Sequence, residues 1–265
     1  MTGKIGIAII TVDREDFFNQ CVETIPDSDE LVIIHNGDEY KKFDQLKNAN
    51  IQSWSTTSNV AVNKNRALRT LIGAGCEHLF LCEDDIRFTR KDLCEYYIKT
   101  AERSGIWHLN YGAHGFYNRD DNNIPKVRAT MEYGDDVKVD FFQNILGAWS
   151  YYHKNIIDKV GYMDQRYNNA MEHVDHTYEI IKKRFHPPFW WFADAYQSYN
   201  YIYDIKDNFE GSKIRHDNLK WQKNMSNAFS LYLHKHGHTP TETPQSTQQQ
   251  VDESLQALEQ YCSKK

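Results

Sequence analysis

The sequence predicts an α/β fold: a mostly parallel central sheet flanked by helices. Three observations predict it. Strand and helix signals alternate through residues 1–112, as in βαβ units. The strand candidates are continuous apolar runs, the pattern of strands covered on both faces. Polar and acidic residues gather just past their carboxyl ends, where open α/β sheets bind ligands.

KIGIAII opens the chain as the first buried strand. Residues 13–24 follow as a helix, with Asp13 placed to cap it and Pro26 just beyond its end. LVIIH (31–35) is a second strand, closed by the turn signal Asn36-Gly37-Asp38. IQSW (51–54) is a short third strand. Residues 60–74 read as a helix with Ala67, Leu68, Leu71 and Ile72 on one side and glycines at its stop. HLFLC (78–82) is a fourth buried strand that runs directly into Glu83-Asp84-Asp85. A helix over 91–103 and a strand in IWHLNYG complete this half, residues 1–112.

The second half, residues 113–238, has a different texture. KVRATMEYGDDVKVDFF alternates around Gly134-Asp135 and predicts a β-hairpin. Short helices are expected over 155–160, ended by Gly161, and over 172–184, stopped by His186-Pro187-Pro188. PFWWFADAY reads as a strand near the surface, and residues 199–215 as a polar, tyrosine-rich loop. Helical spacing returns over 218–236. Residues 239–250 form a low-complexity linker, and 251–265 a terminal helix with Val251, Leu255 and Leu258 on one stripe.

Composition narrows the function. The 265 residues are 40% hydrophobic and 14% aromatic, which supplies a sizeable core and excludes disorder or a coiled coil for the whole chain. The formal charge of −6 weighs against a protein held mainly by duplex phosphates. No apolar run approaches the roughly 18 residues of a membrane helix, and no signal-peptide pattern precedes the first strand. Cys21, Cys76, Cys82, Cys94 and Cys262 form an odd set without a C-x-x-C pair, which predicts unpaired core thiols in a reducing, cytoplasmic setting. The phosphate-binding loops G-x-G-x-x-G and G-x-x-x-x-G-K-[ST] are absent, as are the G-x-S-x-G elbow and H-E-x-x-H.

Five groups of residues carry candidate chemistry. Glu83-Asp84-Asp85, at a strand end, concentrates like charge that a cation would relieve, and its hard oxygen ligands suit Mg²⁺, Mn²⁺ or Ca²⁺. The alternative is a solvated acidic turn capping the next helix. In MEHVDHTYEIIKK, at about 100° per residue, Val174, Tyr178 and Ile181 form the stripe expected to be buried. Glu172, Asp175, His176 and Glu179 lie opposite, with His173 between, either as a site for general-base chemistry or as an ordinary solvated face. Trp190 and Trp191 are core residues or a stacking face for a sugar ring or base. Asn63, Asn65 and Arg66 start the helix after the third strand, near the first strand-end cluster. His216 in SKIRHD stands beside Lys213 and Arg215, a stretch suited to anions.

In this order the pieces resemble the GT-A fold of nucleotide-sugar glycosyltransferases, in particular the large inverting group that includes galactosyltransferases. The resemblance covers residues 4–217. It is carried by IAIITVDR with LVIIHNGDE, by SNVAVNKNRALRTLIGAGCEHLFLCEDDI, by NILGAWSYYHKNIIDKVGYMDQRYNNA, by EHVDHTYEII and by IRH. It implies a nucleotide-binding half and an acceptor-side half, and the helical tail lies beyond it. It further implies that Asp85, matching the last acid of the DxD motif, ligates Mn²⁺ or Mg²⁺ and that His216 completes the metal shell. Glu83 matches the first acid, Asp38 a base-contacting position, and Thr11 and Asp13 the lining of the nucleotide pocket; Asn36, Asn63, Arg66 and Asp84 join them as donor-side candidates. The family's catalytic Asp aligns with His173, so the base is His173, Glu172 or Asp175. The implied reaction is metal-dependent, inverting transfer from a nucleotide-diphosphate sugar, with UDP the expected nucleotide, to a hydroxyl of a glycan or a hydroxymethylated base, Trp190 and Trp191 facing that acceptor. A nucleotidyltransferase is the alternative enzyme, although TVDRED lacks its Gly-rich loop, and a carbohydrate-binding protein is the non-enzymatic alternative.

Overall fold

A computed structural model describes residues 3–56, 59–205 and 217–262. The chain runs β1 (Lys4–Val12), α1 (Glu15–Thr24), β2 (Glu30–Asn36), β3 (Ala49–Trp54), α2 (Val60–Gly73), β4 (Cys76–Glu83), β5 (Ile86–Phe88), α3 (Leu93–Ser104) and β6 (His108–Asn110). It continues through β7 (Ala129–Glu132), β8 (Lys138–Phe142), β9 (Trp149–His153), α4 (Lys154–Val160), α5 (Glu172–Lys182), β10 (Phe192–Ala195), β11 (Ile202–Asp204), α6 (Asn218–His236) and α7 (Gln248–Cys262).

The main sheet has six strands in the order β3-β2-β1-β4-β9-β6. β3, β2, β1 and β4 are parallel, and β9 runs antiparallel between β4 and β6. The apolar runs are continuous because both faces of β1 are covered. Ile7 and Ile9 pack with Phe18 and Cys21 of α1, whereas Ala8 and Ile10 pack with Ala61, Leu68 and Leu71 of α2. Beside this sheet lie a three-stranded sheet, β10-β8-β7, and the β11-β5 pair. The four cysteines whose side chains are described are free and buried.

Register places the strand ends together. Ile10 of β1 pairs with Glu83, Thr11 with His35, and Val12 with Asn36. The amide of Glu83 also donates to Ala148 O at 2.8 Å, which brings the loop before β9 to the same edge. At the far end α7 docks its Val251, Leu255 and Leu258 stripe into the main core. Gly105 ends α3 with φ 73° and leaves room for that docking: a Cβ there would lie 2.0 Å from Leu258 O.

Several expectations change. Asp13 does not cap α1; it has φ 48°, its carboxylate lies over Gly37, and the helix starts two residues later. α7 begins at Gln248, so the linker is shorter than predicted and carries a 3-10 turn, Pro240–Glu242. The segment expected as a loop from residue 199 contains β11. β10 is wholly buried rather than superficial, because Asp194 receives Tyr97 Oη, Ser198 Oγ and the Gly112 amide. The largest change is in α5. Its polar face, with Glu172, Asp175, His176 and Thr177, is the buried one, and Val174, Tyr178 and Ile181 are only partly buried.

Candidate functional site

The acids after β4 divide into distinct roles. Asp84 is fully buried, accepts Thr11 Oγ1 at 2.6 Å and pairs with the Arg14 guanidinium. Burial pushes it up to about 7 against the pull of Arg14, and Asp85 adds to the rise. Thr11 and the Arg14 amide are themselves held by Tyr40 Oη at 3.0 and 2.6 Å. Asp84 is thus bound from the β1–α1 turn. Asp85 is held far less: Arg14 reaches its Oδ2 at 3.4 Å, and its buried Oδ1 has no hydrogen-bond partner among the described residues.

A buried lysine joins this cluster to α5. Lys64 Nζ lies 2.8 Å from Glu83 Oε1, 3.0 Å from Glu172 Oε1 and 3.4 Å from Gly147 O. α2 is anchored so that Lys64 falls there. Asn59 caps the helix by accepting from Val62 N, and its amide group donates to Gln165 O. Asn65 makes two hydrogen bonds to the Met163 backbone, and Asn169 accepts from Val60 N. Asn169 and Met171 take φ 56° and 62°, so the chain enters α5 through two left-handed residues.

Burial would discharge Lys64, but Glu83 and Glu172 override it and hold the ammonium far above its usual range. Burial would raise Glu172; Lys64 and then His173 hold it well below the usual carboxylate range instead. Glu83, which is part-exposed, is lowered by Lys64 against the same opposing effect of burial.

His173 Nδ1 lies 3.2 Å from Glu172 Oε1, and the imidazole is partly exposed. Gly147 packs against both groups: a Cβ there would lie 2.9 Å from Lys64 Nζ and 3.2 Å from the His173 ring. Gly147→Ala is therefore expected to cost about 1–3 kcal/mol by overpacking. Thermal denaturation should register this as a fall of roughly 3–10 °C in Tm; an unchanged Tm would mean that the glycine is not required for this packing.

The remaining donor-side candidates gather at the same sheet edge. Asn63 Nδ2 donates to the buried Asn36 Oδ1 at 2.6 Å. Arg66 lies over the Trp54 ring at 4.0 Å and donates to Asn63. Asp13 and Asp38 are exposed beside them.

Other candidates are placed elsewhere. Asp175 receives Tyr167 Oη at 3.0 Å, Lys235 Nζ at 2.7 Å and His236 Nε2 at 2.7 Å, which ties α5 to α6. Ligand atoms of Asp175, Glu179 and His236 lie within 4.8 Å of one another, but Lys235 already supplies the positive charge there, 3.3 Å from Glu179. Trp191 is buried against Phe141 with Arg128 over its ring, and Trp190 donates from Nε1 to Thr243 O. Both indoles are thereby committed to packing. His216, with Lys213 and Arg215, lies outside the described residues.

Sequence reasoning missed Arg14, Lys64, His114 and Asp204. His114 Nδ1 pairs with Asp204 Oδ1 at 2.6 Å. Burial opposes its charge, but Asp204, then Asp85, push the imidazole up to about 9. It also missed the aromatic pair that follows. Phe116 and Tyr117, shortly after His114 in the chain, stack at 4.3 Å and are 47% and 56% exposed, the most exposed large aromatic rings among the described residues.

The parallel sheet, the acids closing its fourth strand and the antiparallel β9 beside them define a GT-A-type fold. No family model matches this chain, and no curated protein matches it in sequence. Solved structures do match. The crystal structure of S. aureus TarS 1-349 is similar at TM-score 0.52 and 13% identity, over 98% of this chain and 87% of that one. A longer TarS chain matches at TM-score 0.54 and 13% identity over 98% of this chain, which spans 53% of its length. The mannosyltransferase PcManGT from Pyrobaculum calidifontis, in complex with GDP-Man and Mn²⁺, matches at TM-score 0.56 and 10% identity, over 99% of this chain and 70% of that one.

Proposed function

We propose that the protein is a nucleotide-sugar glycosyltransferase that moves a sugar, with inversion, from a nucleotide diphosphate to an acceptor hydroxyl. One observation carries this reading: Lys64 ties the acids at the end of β4 to the Glu172-His173 pair at the start of α5. A donor-binding group and a proton acceptor are thereby held at one edge of a GT-A-type sheet. The solved structures of TarS with UDP and of PcManGT with GDP-Man and Mn²⁺ support it.

The unpartnered, buried Oδ1 of Asp85 suits a hard divalent cation, Mn²⁺ or Mg²⁺. Asp85 would hold it, with His216 the second ligand that the family resemblance implies. Such an ion, when bound, neutralises charge on the departing diphosphate. Thr11, Asn36, Asn63, Arg66, Asp13 and Asp38 would line the nucleotide. Asp84 and Arg14 fix the backbone from which Asp85 projects.

His173 is the best placed of the three base candidates. Glu172 can accept its Nδ1–H, which leaves Nε2 to take the acceptor's proton. Glu172 is held anionic by Lys64 and serves as the orienting group, and Asp175 is engaged with α6. Phe116 and Tyr117, rather than Trp190 and Trp191, offer the aromatic surface for an acceptor ring, from a glycan or a hydroxymethylated base. Among the described residues no helix is long and apolar enough to cross a membrane.

Calorimetry with UDP and with GDP, each with and without Mn²⁺, tests the reading. Nucleotide binding that strengthens with Mn²⁺ is expected; no binding under any condition would overturn it. His173→Ala should then lower kcat about a hundred- to ten-thousandfold with unchanged donor Kd. Normal turnover by that variant would move the base off α5.

A further inference from the structure

We infer that His114 is a protein ligand of the divalent ion at Asp85 and that Asp204 is the carboxylate that orients it. This rests on the metal-dependent reading above and adds to it a ligand that the family resemblance did not supply.

His114 follows β6, and Asp204 ends β11, 90 residues later. The carboxylate grips the His114 loop at two points, since Oδ1 faces His114 Nδ1 at 2.6 Å and Oδ2 accepts the Gly115 amide at 2.9 Å. The strand pairing carries this assembly to the acids. In the antiparallel β5–β11 pair Asp204 stands opposite Ile86, and the next amide, Ile205 N, donates to Asp85 O at 2.8 Å. Asp85 is close enough to favour the charged His114 ring, ranking after the hydrogen bond that the ring makes with Asp204.

Two ligand atoms are left over. His114 is only 15% exposed in its side chain, and Asp204 holds the ring by Nδ1, which leaves Nε2. Asp85 Oδ1 is the other. An imidazole that gives one ring N–H to a carboxylate and keeps the other nitrogen for the ion has the arrangement that metal-bound histidines adopt. Ligation takes the neutral ring, so a proton on Nε2 leaves to solvent as the ion enters. The pair Asp85 and His114 leaves positions open for diphosphate oxygens. Asp204 is a positioning residue in this scheme.

Electron spin-echo measurements on Mn²⁺ bound to the full chain with UDP read the ligand directly. Wild type should show nitrogen coupling. In a His216→Ala background, His114→Ala should abolish that coupling and weaken Mn²⁺ binding, and so should His114→Gln, which keeps a donor for Asp204 should the alanine variant fold poorly. Asp204→Asn should weaken Mn²⁺ about ten- to a hundredfold while the coupling persists. His216→Ala should leave the His114 coupling in place. Nitrogen coupling that survives in a folded variant lacking both His114 and His216, or that is lost with His216→Ala alone, overturns the inference and leaves the metal-dependent reading standing. Wild type that takes up no Mn²⁺ with UDP overturns the metal-dependent reading itself.

Discussion

Asp85→Asn is expected to lower the rate of sugar transfer about a hundred- to a thousandfold, the usual effect of removing one group that offsets charge developing in the transition state. Stability should barely move. Asp85 makes one long contact, 3.4 Å to Arg14, and its other oxygen has no partner among the described residues. A substitution with so little to break falls within about 0.5 kcal/mol, or roughly 1–2 °C in Tm. Asp84→Asn should behave in the opposite way. It removes the buried carboxyl that Arg14 and Thr11 address, so the protein should lose stability before its chemistry can be assayed. Steady-state kinetics at saturating Mn²⁺, with thermal melts of both variants, check the pair. If Asp84→Asn melts normally and Asp85→Asn does not, the roles given to the two acids are exchanged.

The same contrast explains what could be read without coordinates. β1, β2 and β4 were legible because strands covered on both faces must be apolar at every position, and that pattern is local. The grouping of Thr11, Asn36 and Glu83 followed from topology alone. α5 was legible in period and illegible in sign. Its partners come from afar: Lys64 is 108 residues from Glu172, and His236 is 61 from Asp175. A helix whose acids find remote cations can bury its polar face, and no window of sequence reveals those cations. His114 and Asp204 were missed for the same reason. Lys64 did leave a trace, since it falls on one stripe with Ala61, Leu68 and Leu71, all fully buried. A lysine on an apolar stripe requires a buried counter-charge, and the two acidic clusters were the available ones.

Lys64→Met carries the largest expected loss of stability. Methionine fills much of the lysine's volume, so the change isolates the charge. Glu172 would be left buried without its cation, and removing one partner of a buried pair costs about 3–5 kcal/mol. In a chain of this size that is a fall of roughly 8–15 °C in Tm. The pH dependence separates charge from packing. In the wild type Glu172 is held below its ordinary value of 4.5, so its contribution is present above 4.5 and is lost as acid brings the pH down through the depressed folded value. Lys64 is held above its ordinary 10.5, so its contribution is complete below 10.5 and is lost as the pH rises through the raised folded value. The bridge is therefore intact throughout the neutral range. Without the lysine, burial and the repulsion between Glu83 and Glu172 push both carboxyls up, against only the weaker pull of His173 on Glu172 and of His114 on Glu83. Groups raised in the folded state stabilise it when protonated and lose that contribution as the pH rises. The Tm deficit of Lys64→Met should accordingly be largest near pH 8 and shrink toward pH 5. A deficit that stays constant across that range would assign Lys64 to packing and remove the electrostatic tie between the two halves of the site.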